Sequence, residues 1–260
     1  MFNEHRKLGL SALSLATFVA VGCTFTGCTL EVPVVDDFLP DRCVWSGAAD
    51  GPETLKLAVV LPLTVGGEVD LDADANARAV QLAVDDVNTR QGITGRKFRL
   101  ATCDKRGDWT SGGTAQAAHI ARWLHEQKVS AVISGGSGDT IAIHAETKGL
   151  GTLVVAQSAT SADITFLNDD GLVWRTAPSD LYQGVVMARV LRQEGATQVA
   201  VIHEGGSYGE SLAKIIKDQA DATMAVKTWP LSAGAANIAN LLTLVAGQKP
   251  DFVVLIAGAE

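Results

Sequence analysis

Short apolar runs, each closed by small polar residues and followed by a helical repeat, recur from Leu57 to Ile256. Leu57–Leu61 reads as a strand ending at Pro62. Ala75–Asn88 reads as a helix, its apolar residues Ala79, Leu82, Ala83 and Val87 recurring at helical spacing. Gly92 and Gly95 turn the chain into a strand over Lys97–Thr102, and Thr114–Gln127 forms the next helix, with Ala118, Ala121 and Leu124 on one face. The clearest repeat is Val129–Thr165. Here a strand at Ala131–Ile133 runs into Ser134-Gly135-Gly136-Ser137-Gly138, a helical pattern carries Ile141, Ile143 and Ala145, and a second strand at Leu153–Val155 ends in Gln157-Ser158-Ala159-Thr160-Ser161. Apolar runs without alternation mark strands buried on both faces, so the pattern predicts an α/β protein with parallel sheets.

The same rhythm continues past residue 170. Leu172–Trp174 is a short strand leading into Arg175-Thr176-Ala177-Pro178, and Leu181–Gln193 is a helix that Asp180 is placed to cap. A strand at Gln198–Ile202, a turn over His203–Gly209 and a helix at Glu210–Asp218 follow. Met224–Trp229 reads as a strand, Asn237–Ala246 as a helix with Ile238, Leu241, Leu242 and Val245 inward, and Asp251–Ile256 as a buried strand. The sequence then stops at Glu260, where a parallel strand calls for a further helix.

Topology turns the repeat at residues 129–165 into chemistry. In a βαβ unit both turns emerge at the carboxyl edge of one sheet, so Ser137, Ser158 and Thr160 converge beside backbone N–H groups at helix starts. That arrangement suits a small anion such as a carboxylate. The alternative is ordinary βα turns whose hydroxyls cap helices.

This segment, with Arg175-Thr176-Ala177-Pro178-Ser179-Asp180 and Tyr208-Gly209-Glu210 after it, resembles the leucine/isoleucine/valine-binding family of periplasmic solute receptors. The similarity runs from about Leu55 to the end. It implies a type I periplasmic-binding-protein fold of two Rossmann-like lobes, here an N-terminal lobe over 54–177 and an incomplete second lobe over 178–260. It also implies capture of an amino acid-like ligand by lobe closure, for import through an ABC permease, with no covalent chemistry and no cofactor. The ligand-binding residues it implies are Ser137, Ser158, Ala159, Thr160, Asp180 and Tyr208, with the Ser137 and Thr160 hydroxyls on the ligand carboxylate. Two positions depart from the family pattern: Gln157 where proline is common, and Gly258 where an aromatic contact is often found. The region expected to supply the acid for a ligand amino group lies beyond the sequence. A sensory lobe of the same fold is the alternative function.

An enzymatic alternative sits in the turn Gly205-Gly206-Ser207-Tyr208-Gly209, which fits the G-x-S-x-G pattern of a hydrolase nucleophile elbow between strand and helix. Such a serine needs a histidine base, normally later in the chain, and no histidine follows His203. An esterase is therefore disfavoured.

The N-terminus adds an address. Arg6 and Lys7 precede an apolar run over Leu8–Val21, too short for an ordinary membrane span, and Gly22-Cys23 and Gly27-Cys28 each resemble a bacterial lipobox. Residues 1–22 are thus expected to be a lipoprotein signal peptide, with Cys23 the lipidated residue and Cys28 the second choice. The tether of residues 23–53 would hold the protein at the membrane in the periplasm. Of the remaining cysteines, Cys28 and Cys43 are expected to pair, with Cys103 simply buried. No cysteine or histidine cluster suggests a metal, and His119, His125 and His144 read as surface or cap residues. The net charge of −8, with no basic tract, argues against nucleic acid as a partner.

Overall fold

The computed structural model describes residues 42–107, 111–231 and 235–257. The elements run β1 (Cys43–Gly47), β2 (Leu55–Leu61), β3 (Thr64–Val65), β4 (Glu68–Val69), α1 (Leu71–Thr89), β5 (Phe98–Asp104), α2 (Ser111–Glu126), β6 (Ala131–Ser134), α3 (Ser137–Thr147), β7 (Leu153–Ala156), α4 (Ala162–Thr165), β8 (Val173–Arg175), α5 (Asp180–Gln193), β9 (Gln198–Glu204), α6 (Gly206–Asp218), β10 (Ala225–Leu231), α7 (Ala235–Gly247) and β11 (Phe252–Ile256). They form a large sheet in the order β1-β5-β2-β6-β7-β8, a second sheet in the order β10-β9-β11, and the small hairpin β3–β4. Apart from the antiparallel β1, every strand of the two larger sheets pairs parallel, as the apolar runs predict.

The central strands show why those runs lack alternation. Ala58 and Val60 of β2 face the cluster built by Ala117, Ile120, Leu124 and Ile143, whereas Val59 and Leu61 face Ala73, Ala77 and Val84 of α1. Both faces are covered, so each valine or leucine removed from water contributes about 1.5–3 kcal/mol. In the second sheet β9 repeats the device. Val199 and Val201 face Leu212 and Ile216 of α6, and Ala200 and Ile202 face Val245 of α7. Gly184 lets α5 lie close on α6, since a Cβ there would stand 2.5 Å from Ile215 Cγ2.

Five expectations are corrected. In α1 the buried stripe is Ala73, Ala77 and Val84, while Ala79, Leu82 and Ala83 are exposed. The helix carries two apolar stripes, and only docking on β2 selects between them. In α7 Leu241 and Val245 turn inward, but Ile238 and Leu242 are exposed, because a three-stranded sheet covers only a narrow stripe of the helix. His144 is buried, whereas His119 is half-buried and His125 exposed. The stretch read as an irregular tether contains β1 at Cys43–Gly47, and Cys43 is disulfide-bonded to Cys103, the residue directly opposite it in the antiparallel register. The expected Cys28–Cys43 pair is thereby excluded. Cys23, Cys28, the signal segment, Asp108, Trp109 and Gly258 lie outside the described residues. Among the described residues, no helix is long and apolar enough to cross a membrane.

Candidate functional site

The strand order reverses at β2, which has β5 on one side and β6 on the other. In open α/β sheets ligands bind in the crevice beyond the strand ends at such a reversal. The turn after β6 is made of residues too small to fill that space. Gly136, the N-cap of α3, supplies no side-chain cap, so the first-turn N–H groups of the helix have no such partner. Thr140 Oγ1 folds back 2.9 Å to the Gly136 carbonyl and lies 2.8 Å from Ser134 Oγ, which fixes the turn from inside.

Ser137 begins α3 and is buried; its Oγ accepts a 3.1 Å hydrogen bond from the Ser161 N–H in the turn after β7. The two turns expected to converge are therefore directly bonded. Ser161 Oγ in turn accepts from Asp163 N–H at 3.2 Å and caps α4. Arg175 at the end of β8 donates from Nη1 to the Ser161 carbonyl at 2.8 Å and the Thr160 carbonyl at 3.3 Å, and from Nη2 to Thr165 Oγ1. The turn is thus held from below by a guanidinium. From the other side α6 packs on α3 and α4, and Ser211 Oγ accepts from Ala162 N–H at 3.2 Å. None of Ser161, Ser211 and Arg175 stood among the predicted site residues, although Ser161 carries a readable helix-start signal, a serine directly before a helix with an acid in its first turn.

Thr160 and Asp180 form the second half of the site. Thr160 Oγ1 donates to Asp180 Oδ2 at 2.9 Å, and Asp180 N–H donates to the Thr160 carbonyl at 2.8 Å. Asp180 is the first residue of α5 and not its cap; Ser179 takes that role, its Oγ accepting from Leu181 N–H at 3.3 Å. The Asp180 side chain is only 1% exposed, yet its Oδ1 has no hydrogen-bond partner. Burial holds this carboxyl above the usual carboxylate range, against the opposing pull of the Thr160 hydroxyl and the Arg175 charge. A cavity of about 340 Å³ opens beside it, lined by Thr160, Ser179, Asp180, Gln183, Val186 and Met187 among others. Ser137, Ser158 and Tyr208 do not line this cavity.

Tyr208 reaches the same region from α6. Burial pushes its phenol up, the nearby Asp180 and Glu204 carboxylates push it further, and a hydrogen bond with Gln183 opposes them. Gly209 is required beside it, because a Cβ there would come within 2.3 Å of the Glu204 carbonyl. Ala159 is buried under the turn against Ala156 and Ile164, and Ser158 is exposed. In the G-x-S-x-G turn the positive φ falls on Gly206, at +86°, and not on Ser207. The strained serine of a nucleophile elbow is therefore not formed. Among the described residues, no group of three or more His, Cys, Asp or Glu side chains is placed to hold a metal.

A family model described as periplasmic binding protein matches residues 54–260. A Leu/Ile/Val-binding protein of Rhizobium johnstonii is 29% identical over 204 residues, which is 76% of this chain and 53% of that protein. The Leu/Ile/Val-binding protein of Escherichia coli is 28% identical over 210 residues, 79% of this chain and 51% of that protein. Among solved structures, an ABC transporter substrate-binding protein from Desulfitobacterium hafniense, in complex with Leu, superposes with a TM-score of 0.56 at 22% identity, covering 78% of this chain and 58% of that chain. The likeness to it shows the fold, a type I periplasmic-binding fold. The chain spans about half the length of the curated relatives it matches. With most of its described length under the family model, and with the two bonded turns at the strand reversal, this chain belongs to the periplasmic binding protein family.

Proposed function

We propose that this chain captures an amino acid as a solute receptor for ABC-type import, binding without covalent chemistry. The observation that carries the reading is the division of hydrogen-bonding character between the two turns. The Ser137 oxygen accepts from Ser161, so its own proton is free to donate, and it stands beside the uncapped first turn of α3. That half suits a carboxylate. The Thr160 proton is committed to Asp180, leaving lone pairs on Thr160 Oγ1 and the whole of Asp180 Oδ1 to accept. That half suits an ammonium group. Thr160, expected from the sequence to donate to the carboxylate, is better matched to the cationic end. Similarity to Leu/Ile/Val-binding proteins supports an aliphatic amino acid.

Residues 54–177 and 178–260 would act as two lobes, with Tyr208 contributed by the second. Ser137 is buried and α6 packs on α3 and α4, so ligand entry would call for these elements to separate, in line with capture by lobe closure. Ser158 and Ala159 would contribute backbone groups. A signal peptide over 1–22 and lipidation at Cys23 would hold the receptor at the periplasmic face of the membrane. Loss of acyl labelling in Cys23→Ala tests that anchor.

The binding reading is tested by calorimetric titration of the chain with L-leucine, L-isoleucine, L-valine and L-leucinamide. Saturable binding of the amino acids that weakens on amidation of the carboxylate supports it. No binding of any proteinogenic amino acid would overturn it.

A further inference from the structure

A buried ion pair spans the strand reversal. Lys105 directly follows β5, and its N–H donates to the Leu61 carbonyl at the end of β2. Its Nζ lies 3.4 Å from Asp139 Oδ1 in the first turn of α3, so the lysine crosses the end of β2 to reach the helix that follows β6. The two side chains are 0% and 1% exposed. The pair therefore sits at the strand reversal, with Asp139 two residues along α3 from Ser137.

Stability alone is a poor account of such a pair, because taking both charges out of water costs about as much as their attraction returns. Its position suggests a different role. A carboxylate in the first turn of a helix complements the positive end of the helix dipole and so competes with any anion bound at that end. Asp139 would by itself repel a ligand carboxylate beside Ser137, and Lys105 cancels that repulsion. We propose that Lys105 and Asp139 are positioning residues that set which charge the site accepts, with Lys105 keeping the α3 end open to a carboxylate. The proposal rests on the reading of the site as an amino acid receptor, in which Asp180, with its unpartnered buried Oδ1, takes the opposite end of the ligand.

The sign of the charge separates this role from a structural clasp. L-Leucine is titrated calorimetrically into the wild-type chain, Asp139→Asn, Lys105→Met and the double variant, with thermal unfolding recorded for each. Asp139→Asn removes the negative charge from the first turn of α3 while keeping the lysine, and is expected to tighten L-leucine binding about tenfold. Lys105→Met removes the positive charge while keeping the acid in the first turn of α3, and is expected to weaken binding about tenfold, the size of one charge contact in a partly buried site. The double variant should fall between the two. If Lys105→Met does not fold, Asp139→Asn against the double variant decides by the same sign. Weakening by both single substitutions, in step with lost thermal stability, would overturn the proposal and leave the pair as a clasp. Unchanged affinity in all variants would overturn it too. A wild-type chain that binds no amino acid would overturn the receptor reading and the proposal with it.

Discussion

Thr160 and Asp180 hold each other twice, once through the Thr160 hydroxyl and the Asp180 carboxylate at 2.9 Å and once through the Asp180 N–H and the Thr160 carbonyl at 2.8 Å. The second bond ties the turn after β7 to the first residue of α5, and the first leaves Asp180 Oδ1 as the one oxygen of that carboxylate without a partner. A buried acceptor without a donor is costly in the empty protein and becomes an asset when a ligand brings the donor.

Thr160→Val removes the hydroxyl while keeping the shape of the side chain. A hydrogen bond to a charged group is worth about 1.5–3 kcal/mol, so amino acid affinity should fall between about tenfold and a hundredfold. Calorimetry measures the affinity, and an unchanged circular dichroism spectrum confirms that the fold survives.

Asp180→Asn should make the ligand-free protein more stable at neutral pH. Burial raises the folded-state pKa of Asp180 above its unfolded value. Between those two values the folded chain holds a proton that the unfolded chain has released, so stability falls as pH rises through that window, and the penalty persists in full above it. The asparagine variant escapes the penalty. Its Tm should exceed that of wild type at pH 7, with the gap closing as pH falls to the ordinary carboxylate range. Ligand binding should fail in the same variant, since the ammonium loses its counter-charge.

Arg175→Met should loosen the turn rather than the fold. Its guanidinium holds the Thr160 and Ser161 carbonyls, so its loss frees the segment that carries one half of the site. Hydrogen exchange should quicken at Ser161 and Ala162, affinity should drop severalfold, and Tm should shift little. Equal exchange rates in the two proteins would refute this account of the guanidinium.

Reduction of Cys43–Cys103 should lower stability markedly. The bond closes a loop between residues 60 apart in sequence, for which the chain-entropy estimate is about 4 kcal/mol. Thermal melts with and without reductant, against Cys43→Ala/Cys103→Ala as the permanently open control, measure the difference.

The sheet strands and their flanking turns were legible because burial on both faces leaves a continuous apolar run, and because parallel topology places every β-to-α turn on one edge. That logic brought Ser137, Ser158 and Thr160 to one edge, where Ser158 is exposed, while their reading as ligand contacts came from the family resemblance. The side of α1 that turns inward did not, since alanine at Ala79 and Ala83 is as acceptable to water as to a core. β1 was hidden because Val44 and Trp45 stand among residues typical of linkers, and with β1 unseen the partner of Cys103 could not be found. The ion pair was invisible for a different reason. Lys105 and Asp139 stand far apart in the sequence, and only the crossing of β2 between them puts them together.

The disulfide also changes where force enters the domain. β1 lies at the edge of the large sheet and is the first described strand of the chain. Pulled from its N-terminal end, an edge strand held only by its ladder would peel off one hydrogen bond at a time. With Cys43 at its first residue joined to β5, the load passes into the sheet at the point of entry, and the rest of β1 carries none of it. Cys103 lies near the carboxyl end of β5, on the same edge of the sheet as the turns of the site, so strain on the leading segment is taken up by β5 and not by those turns.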